Sequence, residues 1–127
     1  MIGTRKTILI VEDKSTDRFV CRDILMPVYN VYCLTSGEKM FFFLGKVLPD
    51  LILLSIELKK FDIFEIFKRL KADERCTDIP IMLLSSQNDV AAKQTGFDLG
   101  AVDYIVKPFD PPTLLEQISK VIGGIER

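Results

Sequence analysis

Four short apolar runs, each followed directly by polar residues, constrain the fold of this chain more than any other feature. Continuous apolar runs of this length are typical of strands in a parallel sheet that helices cover on both faces. Such sheets gather function at the carboxyl ends of their strands. We therefore expect the polar chemistry of the protein to lie along one edge of the sheet. The runs are residues 8–11, 51–54, 81–84 and 104–106, and the polar residues after them are Glu12 and Asp13, Ser55, Ser85, and Lys107.

Helical patterns alternate with these runs and with a fifth, weaker apolar run at residues 30–34. Helices are predicted over about 15–26, around 40–44, 62–71, 89–99, and from Pro111 to about Gly123. Thr35 and Glu38 are spaced as in a capping box at the start of the second helix. Five β-α units with short connections predict an α/β, flavodoxin-like, doubly wound parallel sheet in the order 2-1-3-4-5. The weakest run, the second strand, is expected near the edge of the sheet.

The bulk composition describes an ordinary globular chain. Its 127 residues suit a single domain, which we place at 1–127 with a core over about 7–122. A net charge of −1 gives no electrostatic reason to bind nucleic acid. No apolar stretch approaches 18 residues and no leader pattern follows Met1, so we expect a soluble, cytoplasmic protein away from the membrane. The three cysteines, Cys21, Cys33 and Cys76, lack C-x-x-C spacing and are expected to be reduced.

Histidine is absent from the chain. This excludes a Ser-His-Asp or Cys-His catalytic site, a histidine phosphocarrier and a histidine-based zinc site. The first strand is followed by Glu12 and Asp13 rather than by glycines, so a phosphate-cradling nucleotide loop is also disfavoured. Two adjacent carboxylates at a strand end suit a hard cation such as Mg²⁺, and the alternative is that they only cap the helix that follows. Ser85 and Lys107 would point at the same crevice, unless they are ordinary surface residues.

The chain resembles the response-regulator receiver domain of bacterial two-component signalling along essentially its whole length. Each matching segment is weak alone, but their order and spacing are specific. The matching segments are residues 8–13, 36–38, 49–54, 70–73, 79–85, 100–101 and 103–109.

The resemblance implies a role for each polar strand end. It implies that Glu12, Asp13 and the backbone carbonyl of Glu57 bind Mg²⁺, and that Ser85 and Lys107 bind phosphoryl oxygens. Tyr104 matches the aromatic residue that follows the strand-four hydroxyl when the family switches state. The family's partners are a histidine kinase and an output domain or effector, and the face of helix 4, strand 5 and helix 5 is its usual surface for partners and homodimers.

Ser55 stands where the family carries the aspartate that accepts the phosphoryl group. A serine hydroxyl is a weak nucleophile without an adjacent base, and the lost carboxylate would also have bound the metal. We therefore expect no catalytic residue, weakened or absent Mg²⁺ binding, and signalling through protein contacts without phosphorylation. Lys107 is expected to turn toward Asp13 or Glu12. An inward swing of Glu57, which would partly supply the missing charge, is a less favoured option.

Two other functions stay open. A phosphorylatable receiver would use another acidic acceptor, such as Glu57 or Asp50. An enzyme or small-ligand protein on the same scaffold is disfavoured by the missing glycine-rich loop and histidine. Three consecutive phenylalanines, at 41–43, cannot all face inward on one helix. Phe42 is the candidate for an exposed partner contact, whereas core packing is the commoner fate of such residues.

Overall fold

The computed structural model describes residues 5–59, 62–86 and 90–123, except for the side chain of Ala92. Strands and helices alternate through these residues. In chain order they are β1 (Thr7–Val11), α1 (Ser15–Leu25), β2 (Asn30–Leu34), α2 (Gly37–Leu44), β3 (Leu51–Ser55), α3 (Ile63–Ala72), β4 (Ile81–Ser85), α4 (Val90–Leu99), β5 (Asp103–Val106) and α5 (Pro111–Ile122).

The five strands form one parallel sheet in the order β2-β1-β3-β4-β5, as predicted. β2 is an edge strand, which explains its weak apolar pattern, since only part of its surface is covered. The register aligns Val11 with Leu34 and Leu54, Ser55 with Leu84, and Ser85 with Val106. This register brings the carboxyl ends of all five strands, and the polar residues that follow them, to one edge of the sheet.

Helices cover both faces of the sheet and create two cores. Alternate residues of each strand point to opposite faces. On one face Leu9, Ile52 and Leu83 pack with Met40 of α2 and Phe67 of α3. The opposite core contains Ile10, Leu53 and Met82 of the sheet, Leu25 of α1 and Ile118 of α5. β3 and β4 are buried along their whole lengths, which explains why their sequences lack a polar alternation.

Side-chain caps fix the starts of three helices. Asp62 accepts a hydrogen bond from the backbone N–H of Phe64, and Asp110 accepts one from Thr113. The capping box predicted from Thr35 and Glu38 is wrong, because α2 starts one residue later than that pattern requires. Ser36 is the capping residue, and its hydroxyl accepts a hydrogen bond from the Lys39 N–H at 3.1 Å. The predicted start of α4 at Asp89 lies outside the described residues.

The three cysteines are free thiols. Cys21 is fully buried between α1 and the sheet, and its burial, reinforced by neighbouring acidic groups, raises the pKa of the thiol to about 12. A thiol with such a pKa stays protonated and is a poor nucleophile at neutral pH. A membrane span would need a longer and more apolar helix than any found in the described residues.

Candidate functional site

Lys107 reaches across the carboxyl edge of the sheet to Glu12. It directly follows β5, and its backbone N–H donates to the carbonyl oxygen of Ser85 at 2.8 Å. Its ammonium lies 2.5 Å from Glu12 Oε1. The Glu12 side chain is 1% exposed and that of Lys107 is 7% exposed, so the pair is buried. This is one of the two contacts that the sequence predicted for Lys107.

Two further carboxylates approach the same ammonium. Asp17 of α1 places Oδ2 at 3.1 Å from Lys107 Nζ, and Glu57 places Oε1 at 3.4 Å. Burial alone lowers the pKa of Lys107, but the hydrogen bonds and negative charges of Glu12 and Asp17 outweigh it and raise that pKa above its ordinary value. Lys107 is therefore charged at neutral pH.

Glu57 also connects the end of β3 to the end of β4. Its carboxylate accepts hydrogen bonds from the Ser86 hydroxyl and, at 3.4 Å, from the Ser86 N–H. Partial burial alone raises the pKa of Glu57, but the Ser86 hydrogen bonds and the Lys107 charge more than offset this and hold the pKa below its ordinary value. Glu57 thus points into the crevice as an anion, the orientation that the sequence analysis considered the less favoured one.

Ser55 ends β3 and is 1% exposed. Its hydroxyl oxygen accepts a hydrogen bond from the Glu57 N–H at 3.1 Å, a local turn interaction that serine favours. Ser85 ends β4 in the neighbouring strand and is fully buried. The site therefore holds a hydroxyl, rather than a carboxylate, at the ends of both β3 and β4.

The two adjacent acids after β1 have different partners. Glu12 Oε2 accepts a hydrogen bond from the Lys14 N–H, and Asp13 Oδ2 accepts one from the Lys59 N–H, both at 3.1 Å. The capping residue of α1 is Lys14, which makes no side-chain cap bond, so neither acid serves as the N-cap of this helix. Asp13 instead holds the loop after β3 against the loop after β1.

The crevice has a volume of about 310 Å³ and is lined by Glu12, Asp13, Lys14, Glu57, Lys59 and Lys107. Its carboxylate oxygens are of the type that Mg²⁺ prefers. However, the buried Glu12 carboxylate is directed at the Lys107 ammonium rather than at a space between carboxylates. Across residues 5–59, 62–86 and 90–123, no three acidic or thiol side chains are arranged to hold a metal ion. In this arrangement the residues do not fit a divalent cation.

Comparison with known proteins identifies the family. The family model for the response regulator receiver domain matches residues 8–119. The chain belongs to this family. It is a receiver domain of two-component signalling, with the flavodoxin-like fold described above.

Individual relatives agree with this assignment. The DNA-binding dual master transcriptional regulator RpaA of Synechocystis sp. is 33% identical over 122 residues, which cover 96% of this chain and 51% of RpaA. The chain thus spans about half the length of this curated relative.

Among solved structures, a putative response regulator from Chloroflexus aurantiacus has a TM-score of 0.88 and 32% identity, covering 94% of this chain and 98% of that one. The receiver domain of the sensor histidine kinase PA1611 from Pseudomonas aeruginosa shares the fold, with a TM-score of 0.84 and 24% identity over 94% of this chain and 99% of that one. That structure has a magnesium ion coordinated in its active-site cleft.

The structure corrects one expectation about the receiver. Asp50 was considered as an alternative acceptor, but it lies before β3, at the amino edge of the sheet. There its carboxylate accepts a hydrogen bond from the Thr7 N–H at 2.8 Å, on the opposite edge from Lys107. Tyr104, the candidate switch aromatic, is 6% exposed, because it lies on an inner position of β5 against the core beneath α4. The Lys93 ammonium lies 5.9 Å from the centre of its ring.

Two residues of the site were not predicted from the sequence. Asp17 was missed altogether, although it lies in the first turn of the helix that follows Glu12 and Asp13. Ser86 was noticed only as the neighbour of Ser85. Both contacts depend on the direction of a side chain at a helix or strand end, which no pattern in the sequence specifies.

Proposed function

We propose that this receiver domain signals through protein–protein contacts without phosphorylation of an acceptor at the end of β3. The observation that carries the proposal is Ser55, buried at that strand end with its hydroxyl oxygen already accepting the Glu57 N–H. An aspartate at this position would attack a phosphodonor as an anion, whereas a serine hydroxyl needs a base to remove its proton. The chain has no histidine to serve as that base.

The surrounding carboxylates do not replace the missing base. Glu57 is the nearest acidic side chain along the chain, but its carboxylate is engaged by Ser86 and Lys107. Its lowered pKa makes it a weaker proton acceptor than an ordinary carboxylate. We therefore propose that the domain has no catalytic residue of its own.

Weak or absent magnesium binding is part of the same proposal, because the buried Glu12 carboxylate is directed at the Lys107 ammonium. Glu12, Asp13 and the carbonyl of Glu57 are the groups that would hold the ion, which would supply positive charge next to a phosphoryl group. Compared with a site that has a third carboxylate at the end of β3, this one has one charged ligand fewer. Glu12 is also paired with Lys107.

A second candidate function is a receiver that uses Glu57 as its acceptor. The observation in its favour is that Glu57 is an anion inside the crevice, beside the Lys107 ammonium. Against it, the same carboxylate is held by two donors of Ser86, so its oxygens are not free to attack.

The partners proposed for this domain are signalling proteins, a histidine kinase or an output domain or effector. The face of α4, β5 and α5 is the proposed surface for a homodimer. RpaA is a DNA-binding regulator, but only half of its length corresponds to this chain. We propose that residues 1–127 act as one receiver unit with no direct contact to nucleic acid.

Beryllofluoride with Mg²⁺ tests this proposal, because the complex binds carboxylate acceptors and mimics a phosphoryl group. In ¹H–¹⁵N NMR spectra we expect no change for the wild type or for Ser55→Ala, which lacks the hydroxyl. We expect Ser55→Asp to shift the amide signals around Ser85 and Tyr104. Shifts of the same size in the wild type would contradict the proposal, and their loss in Glu57→Gln would establish the second candidate instead.

A further inference from the structure

We propose that the Lys107 ammonium is the resident cation of the crevice, occupying the place of a divalent ion, with Glu12, Asp17 and Glu57 as its anionic shell. The inference deepens the proposed function and rests on it, since it concerns how the same crevice is kept inactive toward metal and phosphodonor. It is tested separately from the proposed function, by an experiment that uses no phosphodonor.

The geometry around the ammonium is that of a filled cation site. Oxygens of Glu12, Asp17 and Glu57 lie 2.5, 3.1 and 3.4 Å from Nζ. They come from three separate parts of the fold, namely the ends of β1 and β3 and the first turn of α1. An ammonium has three N–H donors, so each carboxylate can take one. The side chain of Lys107 is 7% exposed, so the ammonium is largely withdrawn from water as well as paired.

The Lys107 ammonium is covalently attached to the chain, and this favours it over a free metal ion that would bind the same carboxylates. Lys107 is fixed by its backbone hydrogen bond to Ser85, so its ammonium stays near the carboxylates whatever the metal concentration. A divalent ion would have to displace the ammonium from Glu12 or bind beside a positive charge. Either event weakens metal binding relative to a crevice without the lysine.

Asp17 helps to hold the Lys107 ammonium in place next to Glu12. Glu12 alone would leave the ammonium free to turn toward other partners, whereas Asp17 and Glu57 hold it from two further directions. Asp17 lies in the first turn of α1, where the helix dipole also favours a negative charge. It is therefore a positioning residue for Lys107.

Removal of the lysine charge should convert the crevice into a metal site. Lys107→Met keeps an unbranched apolar stem and leaves Glu12, Asp17 and Glu57 without a cation. Their carboxylates are not arranged to hold a metal ion while the ammonium lies between them, and its removal allows them to move together around one. Carboxylate oxygens are suitable ligands for Mg²⁺ and Mn²⁺, and affinity rises with the number of charged ligands.

The test is a titration of the full chain with Mn²⁺, followed by paramagnetic broadening of amide signals and by calorimetry. We expect the dissociation constant to fall at least about tenfold in Lys107→Met. The broadening should centre on residues 12–17 and 55–57. Asp17→Asn in the Lys107→Met background should reverse part of the gain. Lys120→Met, which removes an exposed ammonium from α5, is the matched control and should bind as the wild type does.

Three outcomes would overturn the inference. They are equal Mn²⁺ affinity in the wild type and Lys107→Met, a gain that Asp17→Asn leaves untouched, and strong broadening around Glu12 in the wild type. The last needs no variant, so it holds even if Lys107→Met folds poorly. Tight Mn²⁺ binding by a wild type that takes up no phosphoryl group would reject the inference alone. Phosphorylation of Ser55 would reject the proposed function.

Discussion

Replacement of Lys107 by methionine is expected to lower the free energy of unfolding by about 3–5 kcal/mol at neutral pH in the presence of a chelator. The reason is the Glu12 carboxylate, which is 1% exposed and would lose its only charged partner among the described residues. An unpaired buried charge is much more costly than the pair was stabilising. Urea denaturation followed by circular dichroism measures the change.

Two variants make this measurement specific to the buried cluster. Lys120→Met removes a lysine whose side chain is 72% exposed, and its effect should stay within about 0.5 kcal/mol. The double variant Lys107→Met/Glu12→Gln should recover a large part of the loss, since it removes both charges together. A loss below about 1 kcal/mol in the single variant would show that water reaches Glu12 and that the cluster is not buried in solution.

The second large effect is expected at Phe67 of α3. Phe67→Ala should lower the free energy of unfolding by about 3–5 kcal/mol, because it leaves a cavity under the sheet. Phe67 is 2% exposed and packs in the core that also contains Leu54, Met40 and Tyr104. Thermal and urea denaturation both report the change.

Phe64, one turn earlier on the same helix, provides the matched control. It is 55% exposed, so Phe64→Ala removes the same atoms with little loss of buried area and should change stability by about 0.5 kcal/mol or less. Equal effects of the two substitutions would mean that α3 does not pack against the sheet with this face.

The fold could be predicted from the sequence because the relevant signals are local. The buried runs at 51–54 and 81–84 required a parallel sheet, and the short connections left few possible strand orders. The bounds of β2 were predicted to the residue, and those of β1 to within one residue. The capping box failed because Thr35 and Ser36 are both suitable hydroxyl caps, and only the backbone decides between them.

The site was predictable only in part. Strand ends are fixed by the sheet, so Glu12, Ser55, Ser85 and Lys107 could be placed at one edge before any side chain was seen. The choice of partners among them depends on side-chain reach and charge balance. In the structure Lys107 forms ion pairs with Glu12 and Asp17. The Glu57 carboxylate accepts a hydrogen bond from the Ser86 hydroxyl.

For the exposed aromatic residues, too, the sequence predicted the position but not the partner. The three phenylalanines at 41–43 cannot all face inward on one helix. Phe42 is the exposed one, at 71%. Its ring lies 4.6 Å from the Lys46 ammonium. Whether a partner binds there stays a prediction.

The most direct test of the central claim is the intact mass of the protein after incubation with a small-molecule phosphodonor and Mg²⁺. We predict that the wild type gains no phosphoryl group. Ser55→Asp should gain one group, in a form that hydroxylamine removes, as expected for an acyl phosphate. A wild type that gains a phosphoryl group as readily as Ser55→Asp would contradict the account.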